Sequence, residues 1–398
     1  MKKKFLFLSA LVAASTAFVG CSSDEDLAQV PEIVEEETPV FQGYPMYVSA
    51  SAGEDTRGTD LDGDSFDAFT MYSNMAKGTT PWSTGVAFEK STSWSAGSAD
   101  VSFPDNTNSY YFYGVSDAAN ITKTDGKPDI STVGASFNFT YQIPTAYAAQ
   151  KDLLVGKTTG SGSDGKVNFT DDNKFTHALA LVSKVYIRAN TAKIEVQTDG
   201  EISAEALEES YEYKVGGSMS ICGANTKGTY TFGGDPAWSD QAALGEFNIP
   251  ITTTAFFPFS NDWHEIPFSE GDDGLYLLPQ SFSGNLTDNN DGTYTLTGAY
   301  VKVGLQIFAK GDTYNGTTDK TGEYYIHQWY PSGMSTGANS DSDEHSADAG
   351  FRPFCVPLKF TILPNKTYAI YIDLVRGCLF GADETYYPLF DNMNVILS

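Results

Sequence analysis

Basic residues, histidine and cysteine are all scarce in this chain. Of 398 residues, 24 are Lys or Arg and 51 are Asp or Glu, so the formal net charge is −27. A surface of that sign repels phosphate backbones and anionic headgroups, which argues against nucleic acid as a partner. The four histidines, His177, His264, His327 and His345, stand far apart, with no HExxH and no cysteine pair beside them. No metal, cofactor or catalytic group is expected on that basis, and the chain reads as a non-enzyme. After the first twenty residues no apolar run is long enough to span a bilayer. Long periodic runs of Ala, Glu, Lys and Leu are missing too, which removes the signal of a helical protein.

What the chain does have is 37 glycines, 14% aromatic residues, and many short β-branched and aromatic runs separated by Gly, Asn, Asp and Pro. That pattern predicts an all-β protein, and the length predicts two domains. Strands are expected at 66–72, 86–88, 110–115, 136–141, 151–156, 166–169 and 175–188 in a first domain, 58–190. A second domain, 191–398, is expected to carry strands at 193–197, 212–215, 229–232, 255–259, 275–279, 294–296, 300–308, 357–362 and 368–375. Ser203–Ser210 has the form of one short capped helix, and Tyr314–Gly350, rich in Gly, Ser, Thr and Asp, that of a long exposed excursion.

The N-terminus is read separately. Lys2, Lys3 and Lys4 followed by the apolar run Phe5–Val19 form a signal peptide, residues 1–20. Gly20-Cys21 resembles a bacterial lipobox, in which the cysteine receives lipid. At about 0.8 kcal/mol per buried CH₂, several acyl chains such as palmitate on Cys21 would hold the protein to the outer membrane. Residues 21–57 then form a pro-segment. A Glu- and Pro-rich tether, 27–39, leads into a strand at 41–50 with Met46, Val48 and Ala50 on one face and Tyr47 and Ser49 on the other. Pro45 confines that strand to an edge or an end. Gly53–Asp60 is polar and aperiodic, an exposed loop of the kind proteases cut.

The three remaining cysteines, Cys222, Cys355 and Cys378, match no zinc spacing and read as small buried groups; Cys355 with Cys378 is the one pairing to consider. Gly160, Gly162 and Gly165 spell GxGxxG, but the GSGSDGK context has no helix after it to cradle a phosphate. At the C-terminus Met393, Val395 and Leu397 share one face of an extended run. Such a strand can complete a neighbouring subunit or its own domain, and the sequence leaves both open.

Taken together, the lipobox, TRGTD at 56–60, FDAFTMYS at 66–73, QKDLLVG at 150–156, FTHALALVSKVYIRA at 175–189 and YAIYIDL at 368–374 resemble the fimbrillin family, the type V pilins and Mfa-like proteins of Bacteroidales. The resemblance implies two tandem β-sandwich (transthyretin-like) domains and a cell-surface fimbrial subunit exported as a lipoprotein. It further implies cleavage by a trypsin-like protease between Arg57 and Gly58. Cleavage removes the anchor and the strand bearing Met46, Val48 and Ala50, and a strand bearing Met393, Val395 and Leu397 from another copy takes the vacated groove. Burial of three or four apolar side chains would supply roughly 5–12 kcal/mol before entropy costs. Other readings stay open: a tip or anchor subunit, an unpolymerised surface lipoprotein, or a surface glycan-binding lipoprotein using the aromatic HQWYPSG loop at 327–333, with host proteins or glycans as ligands.

Overall fold

A computed structural model describes residues 43–52, 66–75, 82, 84–97, 101–124, 127–128, 130–133, 136–189, 194–196, 211–269, 274–310, 325–328, 351–380, 385–388 and 395–397. Among them the regular structure is β-strand, with only short 3₁₀ turns between.

The first sheet runs, neighbour to neighbour, Tyr47–Ala50, Lys166–Phe169, Leu154–Ser161, Ser109–Val115, Ala68–Ser73, Val86–Lys90 and Trp94–Ser95. Every pair along this path is antiparallel except the first, where Tyr47–Ala50 lies parallel to Lys166–Phe169. Successive side chains of a strand point to opposite faces. Here both faces are dry. Phe69, Met71, Phe112 and Leu154 enter one aromatic cluster, while their chain neighbours Tyr72, Tyr113 and Val155 enter another.

The second cluster is shared with a large sheet ordered Ile130–Val133, Ser136–Gln142, Tyr211–Thr231, Tyr300–Lys310, Arg352–Pro357, Cys378–Phe380, Tyr386–Pro388, Tyr294–Thr297 and Asn285–Asp288. Its spine is the 21-residue strand Tyr211–Thr231. The sequence suggests two short strands there, separated by SMSICGANTKG. That stretch instead continues the ladder through register shifts, two of which accommodate the positive-φ residues Gly217 and Gly223.

A third sheet is centred on Ala180–Arg188, flanked on one side by His264–Ile266 and Leu275–Leu277 and on the other by a parallel partner, Thr367–Asp373. The run expected at 175–188 thus divides: Thr176–His177 pairs with Leu154–Val155 of the first sheet, and Ala180–Arg188 belongs to the third. A register shift at Ser183 also changes the alternation. Val182 is buried along with Val185 and Ile187, while Lys184, Tyr186 and Arg188 face outward. There Tyr186 stacks on Tyr371 with ring centroids 5.1 Å apart, and Arg188 Nη2 lies 3.1 Å from Asp373 Oδ2.

Cys222, Cys355 and Cys378 are buried free thiols. Cys355 and Cys378 face each other across neighbouring strands, and burial pushes the Cys378 thiol up to about 12.

One close approach decides how the first sheet packs. Gly114 and Gly156 are direct partners in adjacent strands, and the Phe175 ring lies on both. A Cβ on Gly114 would come within 2.2 Å of that ring. Gly114→Ala is therefore expected to destabilise the protein by about 1–3 kcal/mol in denaturant unfolding. Combining it with Phe175→Leu should cost less than the sum of the two single changes, because the second removes the clash that the first creates.

Candidate functional site

The aromatic cluster on the outer face of the first sheet is roofed by the N-terminal segment. Phe175 is its centre, with ring centroids 4.6 Å from Phe66, 5.1 Å from Phe69 and 5.2 Å from Phe169. Met46 is buried in this cluster, and Tyr44, Val48, Ala50 and Ala52 pack against it while only partly buried. Tyr47, on the opposite face, is 69% exposed. Beside it the Ser49 hydroxyl donates to Asn168 Oδ1 at 2.7 Å. The segment has one dry face and one wet face.

Its backbone is held from both sides. Tyr44 and Pro45 pair with Phe103 and Ser102. Next, the Tyr47 N–H donates to the Gly165 carbonyl at 2.8 Å and the Ser51 N–H to the Phe169 carbonyl at 3.0 Å; the Phe175 N–H donates to the Ser51 carbonyl at 3.0 Å. On the far side, Trp94 Nε1 donates to the Ala50 carbonyl at 3.1 Å. Trp94 belongs to the last strand of the sheet and Ala50 to the first. That bond joins the two ends of the sheet.

The side-chain hold is weaker than the sequence suggests. Only Met46 is buried, at 9% exposure, which is worth about 1.5–3 kcal/mol, and the partly buried Tyr44, Val48, Ala50 and Ala52 each contribute a fraction of that. Tyr47–Ala50 is also an edge strand, paired with another strand along one side only, while the Trp94 indole supplies a single bond on the other. Lifting it away leaves the other strands of the sheet paired and bares Phe169 and Phe175.

A tight turn organises the nearby chain. The Asp105 carboxylate accepts from the N–H groups of Thr107 (2.9 Å) and Asn108 (2.7 Å) and from the Tyr110 hydroxyl (2.5 Å). The Tyr110 bond, followed by those from Asn108 and Thr107, holds this carboxyl well below the usual carboxylate range. The GxGxxG letters fall in the hairpin joining Leu154–Ser161 to Lys166–Phe169, closed by the Gly165 N–H donating to the Ser161 carbonyl.

Cys21, Arg57, Gly58 and Met393 lie outside the described residues, as does the 203–210 segment. Val395–Leu397 forms a two-stranded ribbon with Ile194–Val196, in antiparallel register. Of the HQWYPSG loop only His327 and Gln328 are described, at the end of a strand paired with Tyr300–Lys310. A serine motif of the esterase-elbow form, Gly333-Met334-Ser335-Thr336-Gly337, also falls outside the described residues. Among the described residues no group of three or more His, Cys, Asp or Glu side chains could hold a metal ion.

The sequence profile of the fimbrillin-like family matches residues 55–327, and the chain belongs to that family. Among solved structures, a proposed cell adhesion protein of Bacteroides thetaiotaomicron is 9% identical, with 82% of this chain and 92% of that one covered and a TM-score of 0.28. A proposed cell adhesion protein of Parabacteroides distasonis is 10% identical, with 83% and 89% covered and a TM-score of 0.32. A proposed adhesin of Bacteroides thetaiotaomicron is 9% identical, with 68% and 77% covered and a TM-score of 0.25. No curated protein sequence matches the chain significantly.

Two outcomes follow from this geometry. Trp94→Phe keeps the ring and removes the N–H, so the Ala50 carbonyl loses its partner. Hydrogen exchange at the Tyr47 and Ser51 amides is expected to speed up by roughly threefold to tenfold, the equivalent of about 1 kcal/mol, while the amides of Ser109–Val115 stay protected. The second concerns acid. Because the folded Asp105 carboxyl titrates below its unfolded value of about 3.9, its contribution is present above that pH and is lost as pH falls below it. Wild type is expected to be the more stable of wild type and Asp105→Asn near neutrality, and thermal melts should show that gap closing as pH drops from about 5 to about 3.

Proposed function

We propose that this chain is a structural subunit of a cell-surface fimbria that polymerises by strand exchange. It is exported as a lipoprotein anchored through Cys21 and is cut by a trypsin-like protease between Arg57 and Gly58. The segment carrying Met46, Val48 and Ala50 then leaves with the anchor, and a strand carrying Met393, Val395 and Leu397 from another copy takes its place. The observation that carries this reading is the position of Tyr47–Ala50. It is an edge strand near the N-terminus, it covers an aromatic cluster, and its departure together with Tyr44–Pro45 leaves the remaining strands of the first sheet paired with one another. A strand added to such an edge gains main-chain hydrogen bonds and side-chain pockets together. A contact between unlike surfaces of successive copies does not close on itself, so it builds a filament.

One observation favours a second reading. Val395–Leu397 pairs within its own chain, with Ile194–Val196. A tail retained there would make the chain a tip or anchor subunit, or a surface lipoprotein that never polymerises.

Trypsin treatment of a folded Cys21→Ser precursor separates the two. The polymer reading expects a new N-terminus at Gly58 and a concentration-dependent ladder on SDS gels run without boiling. A chain trimmed at Gly58 that stays monomeric would overturn that reading and leave the second.

A further inference from the structure

The departing strand and the C-terminal tail share three of six residues in the same places. Residues 46–51 read Met-Tyr-Val-Ser-Ala-Ser and residues 393–398 read Met-Asn-Val-Ile-Leu-Ser, in the same chain direction. Methionine, valine and serine recur at the first, third and sixth places, and an aliphatic residue stands at the fifth in both. Resting on the strand-exchange reading above, we infer that the tail is a mimic of the strand it replaces. It enters the slot in the same polarity, parallel to Lys166–Phe169, with Met393, Val395 and Leu397 in the seats of Met46, Val48 and Ala50.

The slot itself distinguishes this polarity from the reverse. Its deepest seat is filled by Met46, whose unbranched thioether conforms to an irregular aromatic wall, and the same-direction register returns a methionine to it. Ala50 is only partly buried at the rim, beneath Trp94 Nε1, and it is there that the longer Leu397 falls. A reversed tail would put Leu397 in the deep seat and Met393 at the rim. The main-chain groups on the sheet edge point the same way. Slanted, evenly spaced bonds belong to a parallel pair, and the Gly165 carbonyl, the Phe169 carbonyl and the Phe175 N–H already serve one. In the inferred register the Asn394 N–H, the Ser398 N–H and a main-chain carboxylate oxygen of Ser398 meet those three groups. Trp94 Nε1 then donates to the Leu397 carbonyl, a contact that any residue can provide. A slip by one residue would turn Asn394 and Ile396 into the aromatic cluster, so the register is fixed by burial.

The outward positions supply the test. Tyr47 pairs with Lys166 and Ser49 with Asn168 on the wet face. In the inferred register Asn394 replaces Tyr47 beside Lys166, and Ile396 replaces Ser49 beside Asn168. In the reversed register the two exchange places. Four double-cysteine chains in the Cys21→Ser background, trimmed with trypsin and mildly oxidised, read this directly. Asn168→Cys with Ile396→Cys, and Lys166→Cys with Asn394→Cys, are expected to give covalent ladders that survive boiling without reductant. Their yield should be at least several-fold above that of the crossed pairs, Asn168→Cys with Asn394→Cys and Lys166→Cys with Ile396→Cys. Preference for the crossed pairs would overturn the polarity. Bridged monomers would overturn action between copies. Unboiled ladders without any covalent ladder would overturn use of this slot by this tail, while strand exchange by another segment stood. If the same trimmed chains form no unboiled ladder at all, strand exchange itself fails, and the mimicry with it.

Discussion

The structure of the N-terminal half depends on one sheet that buries both of its faces. Strict alternation along Ala68–Ser73, Ser109–Val115 and Leu154–Ser161 sends neighbouring residues into different clusters, Met71 beside Tyr72 and Phe112 beside Tyr113. The inner cluster is closed by the large sheet, a permanent cover. The outer cluster meets only the two-residue pairing of Tyr44–Pro45 with Ser102–Phe103, which places Phe103 in it and Tyr44 against it. It is covered by the sheet's own curvature, which brings Trp94 on the last strand to the Ala50 carbonyl on the first, and by the short N-terminal strand. A cover made of four strand residues on an edge is the weakest wall in an otherwise interlocked unit.

Much of this was legible in the sequence because strand period and face could be read where side chains alternate. The all-β class, most strands of the first sheet and the apolar face of Met46, Val48 and Ala50 all follow from period-two patterning. What escaped had specific causes. Trp238–Ile249, WSDQAALGEFNI, is a twelve-residue strand with most of its middle exposed, so it shows no apolar alternation and few β-branched residues. Tyr211–Thr231 hid behind the glycines of its own bulges. The division of 175–188 between two sheets left no mark in the sequence, since no glycine or proline interrupts the run. The pairing of Ala180–Arg188 with strands from 264–277 and 367–373 is long-range, and single-sequence patterning does not report partners.

The site was less legible than the fold. Trp94 sits in a two-residue strand within a serine-rich stretch, and nothing in its surroundings announces that its indole N–H clamps a backbone carbonyl 44 residues earlier. Gly114 and Gly156 read as weak points in strands; only the register that sets them side by side explains them as the bed of the Phe175 ring. Phe175 itself was visible as an apolar residue at the start of a strand, but not as the floor of a slot. In each case the missing information is which strands are neighbours, a property of topology that local spacing does not carry.

The modest hold on the first strand is what would let a single peptide-bond cleavage act as a switch. One buried methionine, the partly buried Tyr44, Val48, Ala50 and Ala52, and a few edge hydrogen bonds amount to several kcal/mol before the entropy of ordering the segment, which leaves a net affinity on the order of 1 mM. While the strand is part of the chain it never diffuses away, so the slot is refilled each time it opens. Were the chain cut between Arg57 and Gly58 as proposed above, the segment would be free to diffuse away, and the same contacts would no longer hold it. A fully buried strand worth 10 kcal/mol or more would remain in place after cleavage and block exchange. On the strand-exchange reading proposed above, an incoming strand would meet the same limit and would need to gain something the outgoing one lacked. A leucine where alanine stood adds apolar area at the rim, and each further 1.4 kcal/mol is a tenfold gain in occupancy. Two strands that share a pattern but differ in that one seat are a physically sufficient basis for a replacement that runs in one direction.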